Sequence, residues 1–526
     1  MNLIITNASI FNGQVFLPDH YHIIIKNGLI QHIQPASLNK LPASDLIIDA
    51  KSGLVMPAFI EGHNHFVAHA LQRAQCNLAP ASNATQGFEI INQFAAKYPD
   101  EFWIRGGGWS LERWGRDAIT KENLDQIIPD RPAVFESQDF HSVWINSRAQ
   151  ELLGIPDNVN DNPPDNFGRS TTGRFNGVLF EEARMIVYDK VPLPSKKFLS
   201  KALKDNMAYY LSSGFVHAIT MDGVPEMKAL LDVVSENSTM RFSWFFPWKK
   251  LFEPDFIDWL HKINERKYVK AIGAKFFVDG SFGSLTALMK EPFLGTSDYG
   301  VQNLSIEDLR KGLSKAIYNR YGAAIHAIGD QAISLALDQL EALKQNYTID
   351  DSLPLRLEHV QIPSKSDLDR LAKLNLAVAV QPCHIEDDIP MIGKWLRDRK
   401  EQCYPLHQFE KRNIDIIMGS DAPVKEIDPW TNIFWGVRQY SPEGKNYGLN
   451  LSETITLETA LKGYTATAAR YSGFPDSGMI SPGTSADLIL LNMSYPEFLQ
   501  KDQLLDSKVV MTIFEGEIVY NCEDKI

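Results

Sequence analysis

The chain has 526 residues, 44% hydrophobic and 22% charged, an ordinary globular composition long enough to bury a large core. Its net charge of −13 disfavours nucleic acid or an anionic membrane as the main partner. Four scattered cysteines, Cys76, Cys383, Cys403 and Cys522, contain no C-x-x-C pair, which argues against both a disulfide framework and a thiolate zinc site.

The opening Met1-Asn2-Leu3-Ile4-Ile5-Thr6-Asn7 lacks the basic start and long apolar core of a signal peptide, and no run of 18 apolar residues occurs. A cytoplasmic location is the default expectation. Residues 1 to about 55 read as short strands, with Leu3-Ile4-Ile5, His22-Ile23-Ile24-Ile25 and Leu46-Ile47-Ile48 rich in β-formers. Asn12-Gly13 and Asn27-Gly28 are hairpin turn signals. The same texture returns near the far end, in Ala486 to Leu491 and Val509 to Phe514, with a Glu515-Gly516-Glu517 turn before Ile518-Val519-Tyr520. These patterns predict a small β-sandwich built from 1–55 and 476–526, with a large domain, 56–475, inserted between them.

That middle region alternates strand-like and helix-like segments. Strands are expected near 55–65, 215–222, 241–246, 271–279, 322–328, 354–360, 376–381 and 414–420. Helices lie between them, as in Ile333 to Gln345, where Leu335, Leu337, Leu340 and Leu343 recur at helical spacing. Eight strands separated by helices predict an α/β fold, a (β/α)8 TIM barrel. A doubly wound sheet would need a glycine-rich phosphate turn after its first strand, where His63-Asn64-His65 stands instead. Residues 68–210 are too long for one connection and are expected to form an inserted, lid-like subdomain.

The chemistry gathers at strand ends. His63 and His65 are i and i+2 on a strand, so both imidazoles project to one face and can share a metal ion. Lys275 sits inside an apolar strand, where a bare cation is costly. It could pair with Asp279 or Asp421, act as a Schiff-base nucleophile, or react with CO2 to give a carbamate that bridges metals. His326, His359 and Asp421 end later strands; singly they read as core histidines and a helix or loop cap. Together the six supply a two-metal site without thiolates. Zinc suits such donors, with manganese, iron or cobalt as alternatives.

These residues carry a resemblance. The chain resembles the amidohydrolase superfamily, and within it the amidohydrolase family 3 (YtcJ-like) branch that includes N-substituted formamide deformylases. The matching motifs are Gly62-His63-Asn64-His65, the run from Lys275 to Ser284, His326-Ala327-Ile328-Gly329-Asp330, Glu358-His359, Gln381-Pro382 and Gly419-Ser420-Asp421-Ala422-Pro423. Gly107-Gly108-Trp109, Pro129-Asp130-Arg131-Pro132 and Trp144-Ile145-Asn146-Ser147 in the insert, and Gly483-Thr484-Ser485-Ala486-Asp487-Leu488 near the end, extend it over essentially the whole chain. The resemblance implies His63 and His65 on a buried metal, His326 and His359 on a more exposed one, a carboxylated Lys275 bridging them, and Asp421 on the first. Glu61 departs from relatives that carry Asp or Ser there; as a non-ligand it is expected to matter little.

The implied activity is hydrolysis of a non-peptide C–N bond by metal-activated hydroxide, with Asp421 as the proton carrier. Trp109, His141, Phe282 and His384 are the candidate substrate contacts. No arginine cluster offers itself for a highly charged substrate, so a neutral amide with a formyl or acyl group on nitrogen is favoured. Ester, lactone or cyclic-amide hydrolysis would use the same centre, and a non-catalytic regulatory protein on this scaffold would be expected to have lost ligands. A homodimer is left open.

Overall fold

The computed structural model describes residues 2–38, 41–138, 142–158, 166–439, 448–494, 498 and 501–525. Eight parallel strands organise the larger part: β1 (Phe59–Asn64), β2 (Phe215–Thr220), β3 (Arg241–Pro247), β4 (Val269–Phe277), β5 (Gly322–Ala327), β6 (Leu355–His359), β7 (Ala377–Val380) and β8 (Ile416–Met418). Each pairs with the next in chain order. Regular pairing stops between β8 and β1, but the two meet just past their ends. The His63 carbonyl accepts the Asp421 N–H at 2.8 Å, and the Ala422 carbonyl accepts the His65 N–H at 2.7 Å. Two glycines allow this approach. A Cβ on Gly62 would stand 2.4 Å from the Met418 carbonyl oxygen, and one on Gly419 2.6 Å from the His63 nitrogen.

The result is the expected (β/α)8 barrel, with a strand at each of the eight predicted places. Helices fill the connections, among them Pro254–Asn264, Ile306–Tyr318, Asp330–Asn346, Lys365–Lys373 and Leu406–Lys411. Ser305 and Ser364 cap two of them by accepting the N–H of Asp308 and Asp367. The helix Asp330–Asn346 buries Ile333, Ala336, Leu337, Leu340 and Leu343, a stripe at three- and four-residue spacing. Leu335, predicted on that stripe, falls off it and is half-buried. Each fully buried leucine there contributes about 1.5–3 kcal/mol.

Both chain ends join one eight-stranded sheet in the order Glu517–Asn521, Val509–Phe514, Leu488–Ser494, Gly53–Pro57, Asn2–Phe11, Phe16–Lys26, Leu29–Pro35, with Leu46–Asp49 also beside Asn2–Phe11. Asn27 and Gly28, both at positive φ, make the two-residue turn that the sequence announced. Leu3, Ile5, Ile23, Ile25, Leu488 and Ile513 share a core there.

By contacts the chain divides into two compact units. One comprises Met1–Phe66, Met207–Val224 and Val234–Ile526, holding the barrel and the terminal sheet. The other, Val67–Asn206 with Pro225–Val233, has its own six-stranded mixed sheet, Phe167–Arg169, Phe175–Phe180, Ser142–Ile145, Ala133–Ser137, Ile104–Trp109, Cys76–Asn77. All four cysteines are free. Among the described residues no helix is long and apolar enough to cross a membrane.

Candidate metal centre

Strand geometry delivers five of the six candidates to one end of the barrel, and the loop after β8 delivers the sixth. His63 lies in β1 with His65 just beyond, Lys275 in β4, His326 in β5 and His359 at the end of β6. Ladder register sets Phe277 beside His326, and His326 beside Glu358. Alternation alone would turn His359 away from the face that Glu358 occupies. His359 instead takes φ 72°, and Asp421 takes φ 58°. Such left-handed backbone costs non-glycine residues of order 1–3 kcal/mol, and it marks two places where the chain departs from regular strand at a candidate ligand.

The side chains converge. Single donor atoms of His63, His65 and Asp421 lie within 4.8 Å of one another. Asp421 Oδ1 is 3.4 Å from His63 Nε2 and 3.5 Å from His65 Nε2. The His359 ring lies 5.0 Å from that of His63 and 4.4 Å from that of His326, centre to centre. Each further contact orients a ring. Glu358 holds His63 Nδ1, leaving Nε2 to face Asp421. Gln381 Oε1 accepts His359 Nδ1–H at 2.8 Å, and the Gly280 carbonyl accepts His326 Nε2–H at 3.0 Å. Beneath the site, fully buried Arg356 donates to Glu358 at 2.7 Å and to the Gly62 carbonyl at 2.8 Å.

Burial sets the protonation states. It pushes His65 and His326 down to about 4 and His359 well below the usual histidine range, so all three are neutral, lone-pair donors at pH 7. Burial opposes ionisation of Asp421, but the facing His63 ring, by charge and hydrogen bond, does most to outweigh it and holds the carboxyl well below its ordinary range. Glu358 behaves alike: against burial, Arg356 and His63 bring it to about 2. Lys275 is only 3% exposed, and its Nζ has no hydrogen-bond partner among the described residues. Burial lowers it to about 8.

Imidazoles with free nitrogens, a carboxylate between two of them and no thiolate fit a divalent metal of the zinc class. The orphaned amine of Lys275 fits a lysine whose working form carries an added acceptor. The alternative pairing with Asp279 is not realised: that carboxylate accepts the N–H groups of Leu288, Ile328 and Gly329.

The substrate-contact candidates fare differently. Trp109 is 1% exposed, its indole N–H donating to the Phe135 carbonyl at 2.8 Å, so the ring packs the insert's core. Phe282, 2% exposed, is likewise interior, among Met289, Phe293 and Trp435. His384 does reach the site: its Nε2 donates to the Ser420 carbonyl at 3.1 Å, one residue from Asp421. His141 lies outside the described residues. Sequence reasoning gave Arg356 no role, and named Glu358 and Gln381 only as parts of motifs. Arg356-Leu357-Glu358 carried a signal, two opposite charges at period two inside an apolar strand.

Comparison with known proteins decides the lineage. The sequence profile of the amidohydrolase family matches residues 46–520. The chain belongs to the amidohydrolase family. It is 28% identical to the putative amidohydrolase YtcJ of Bacillus subtilis, covering 90% of each protein. It is 24% identical to the N-substituted formamide deformylase of Arthrobacter pascens, again over 90% of each. Among solved structures, an uncharacterized metal-dependent hydrolase from Pyrococcus furiosus superposes with a TM-score of 0.79 at 24% identity, covering 94% of this chain and 99% of that one. That likeness speaks to the fold, and the YtcJ-like branch named from the motifs is the one in which this amidohydrolase-family chain falls.

Proposed function

We propose that this chain is a metal-dependent hydrolase of a non-peptide C–N bond, acting on a neutral N-formyl or N-acyl amide. One observation carries the reading: His63, His65 and Asp421 converge within 4.8 Å beside two further neutral imidazoles and a buried lysine with no hydrogen-bond partner among the described residues. The formamide deformylase among the relatives supports the amide class. We assign His63, His65, His326, His359 and Asp421, with Lys275 carrying a carbamate, as the residues that would hold two Zn2+ ions or their manganese, iron or cobalt equivalents.

A metal bound there supplies Lewis acidity and brings the pKa of a bound water toward neutrality. The chain's own residues do the rest. Asp421, ionised at pH 7 and beside the imidazoles of His63 and His65, takes the proton of the attacking water and passes it to the departing nitrogen. Gln381 and Glu358 keep the rings of His359 and His63 in the tautomers that leave a nitrogen for the metal. Phe277, 46% exposed and 5.4 Å from the His326 ring, offers apolar surface at the same end of the barrel. Such surface favours an uncharged substituent.

The test is metal content per chain in protein purified without chelator, beside Lys275→Ala, followed by a screen of formyl and acyl amides, esters and lactones. Near two ions in the parent and a clear loss in the variant support the reading. A well-folded parent that takes up no metal removes it, and borohydride trapping of Lys275 with a carbonyl compound would then favour a Schiff-base lyase.

A further inference from the structure

Glu61 was expected to be incidental because it is not a ligand. Its surroundings say otherwise. The residue is fully buried, and its Oε1 accepts the Ser420 N–H at 2.7 Å and the His63 N–H at 3.3 Å. It therefore ties the strand that carries two histidines to the loop that carries Asp421, at the one seam of the barrel without regular ladder pairing. From the other end of Ser420, its carbonyl accepts His384 Nε2–H at 3.1 Å. Neighbouring groups are pinned as well: Asn432 donates to the Gly419 carbonyl at 2.8 Å, and the Ala422 N–H donates to Ser420 Oγ at 3.1 Å.

We propose that Glu61 and His384 act as paired positioning residues, gripping the N–H and the carbonyl of Ser420 so that Asp421 is held in its left-handed conformation between His63 and His65. The reasoning is geometric. Asp421 at φ 58° is in a region that non-glycine residues leave unless their surroundings hold them. Its carboxylate oxygen must stay nearly equidistant from two imidazoles on another strand, at 3.4 and 3.5 Å. In place of a regular ladder, this seam is joined by a few hydrogen bonds, and Glu61 supplies one that reaches both sides of it. The length of the side chain matters: an Asp at this position, one methylene shorter, would not span the same gap without backbone movement. His384 thus acts on the loop's backbone, a different task from the substrate contact expected of it.

This inference rests on the metal reading above, and its test separates the two. Zn2+ affinity is measured by chelator competition on the folded full-length chain, with metal-free melting recorded in parallel. Glu61→Met keeps length and burial but removes the acceptor, whereas Glu61→Gln keeps an acceptor oxygen. His384→Leu removes the second grip at a partly exposed position where folding is not at risk. The expected result is Zn2+ affinity about 10–100-fold weaker for Glu61→Met and His384→Leu. Glu61→Gln should stay within about threefold of the parent. Parental Zn2+ affinity in His384→Leu and in a folded Glu61→Met, whatever the change in melting, overturns the proposal, as does a Gln variant no better than Met. If Glu61→Met fails to fold, His384→Leu decides. A parent that binds no Zn2+ fails at the earlier step and removes both readings.

Discussion

Inside the barrel, the Glu358 carboxylate receives the Nδ1–H of His63, with neither side chain meeting solvent. Arg356 holds the same carboxylate from beneath, so a buried ion pair fixes the tautomer and aim of a candidate ligand. Removing Glu358 does two things at once. It frees the His63 ring, and it leaves Arg356 as an uncompensated buried charge. Glu358→Ala should weaken metal binding by about 10–100-fold and destabilise the chain by roughly 3–5 kcal/mol. Arg356→Met with Glu358→Gln should recover much of the stability while leaving metal binding impaired. Chelator competition and denaturant titration read the two effects apart; unchanged metal binding in Glu358→Ala would refute the orienting role.

Lys275 makes a second prediction. Only the neutral amine attacks CO2, and lowering its pKa to about 8 raises that form at pH 7 by roughly 300-fold over an ordinary lysine. Chelator-treated protein should therefore regain metal faster and more fully when bicarbonate is added to CO2-depleted buffer, with the dependence steepest from pH 7 to 8. Lys275→Arg should show no response. Equal recovery with and without bicarbonate would argue against the carbamate.

Much of this was legible in the chain because barrel strands are short apolar runs that end in polar residues. Ile416-Ile417-Met418 before Gly-Ser-Asp and Leu355 to His359 announce both a strand and its candidate ligand. The failures have physical causes. Trp109 was a candidate substrate contact, yet Ile104–Trp109 is a strand paired with Ala133–Ser137, and pairing drives the indole into a core. Phe282 follows the strand that carries Lys275, and nothing local distinguishes a wall of the core from a wall of a pocket. The φ of His359 and Asp421 is a tertiary outcome with no signal in residue type. Glu61 could not be valued because its partner, Ser420, is 359 residues away.

Asp421→Asn tests the proton carrier. The amide keeps one oxygen for a metal and most of the shape, but it cannot accept a proton near neutral pH. Metal content should stay close to that of the parent, while turnover on any substrate found falls by about 10²–10⁴-fold. Near-parental turnover would remove Asp421 from the chemistry.

Acid should act on the metal-free protein through His65 and His326. Burial lowers both to about 4, whereas in the unfolded chain they titrate near 6.5. Unfolding then takes up protons between these values. The stability these neutral imidazoles confer is complete above pH 6.5 and is lost as pH falls through about 4. Glu61 and Asp279, raised by burial to about 8 and 7, work in the other direction, since folding holds their protons and stability is lost as pH rises from about 4 toward those values. Melting should be compared between parent and His65→Gln, where the groups in common cancel. The variant should lose less stability than the parent between pH 6.5 and 4, and parallel curves would contradict the neutral-imidazole assignment.

On the proposed reading, Phe277 is the residue through which substrate preference is tested. Its ring is 46% exposed, lies 4.9 Å from Lys275 Nζ and borders the His326 ring, so a substrate carbonyl at the metal would carry its nitrogen substituent past this face. Aromatic surface left open beside a polar centre rewards an apolar partner and gives nothing to a small polar one. Phe277→Ala should raise KM about tenfold for amides bearing an aromatic group on nitrogen, the scale of losing one large apolar contact. The kcat should hold, because no reacting atom touches the ring. Unsubstituted formamide should show no change in either constant. If KM instead rises equally for both amides, the ring is shaping the centre itself, and selectivity must be sought in other residues.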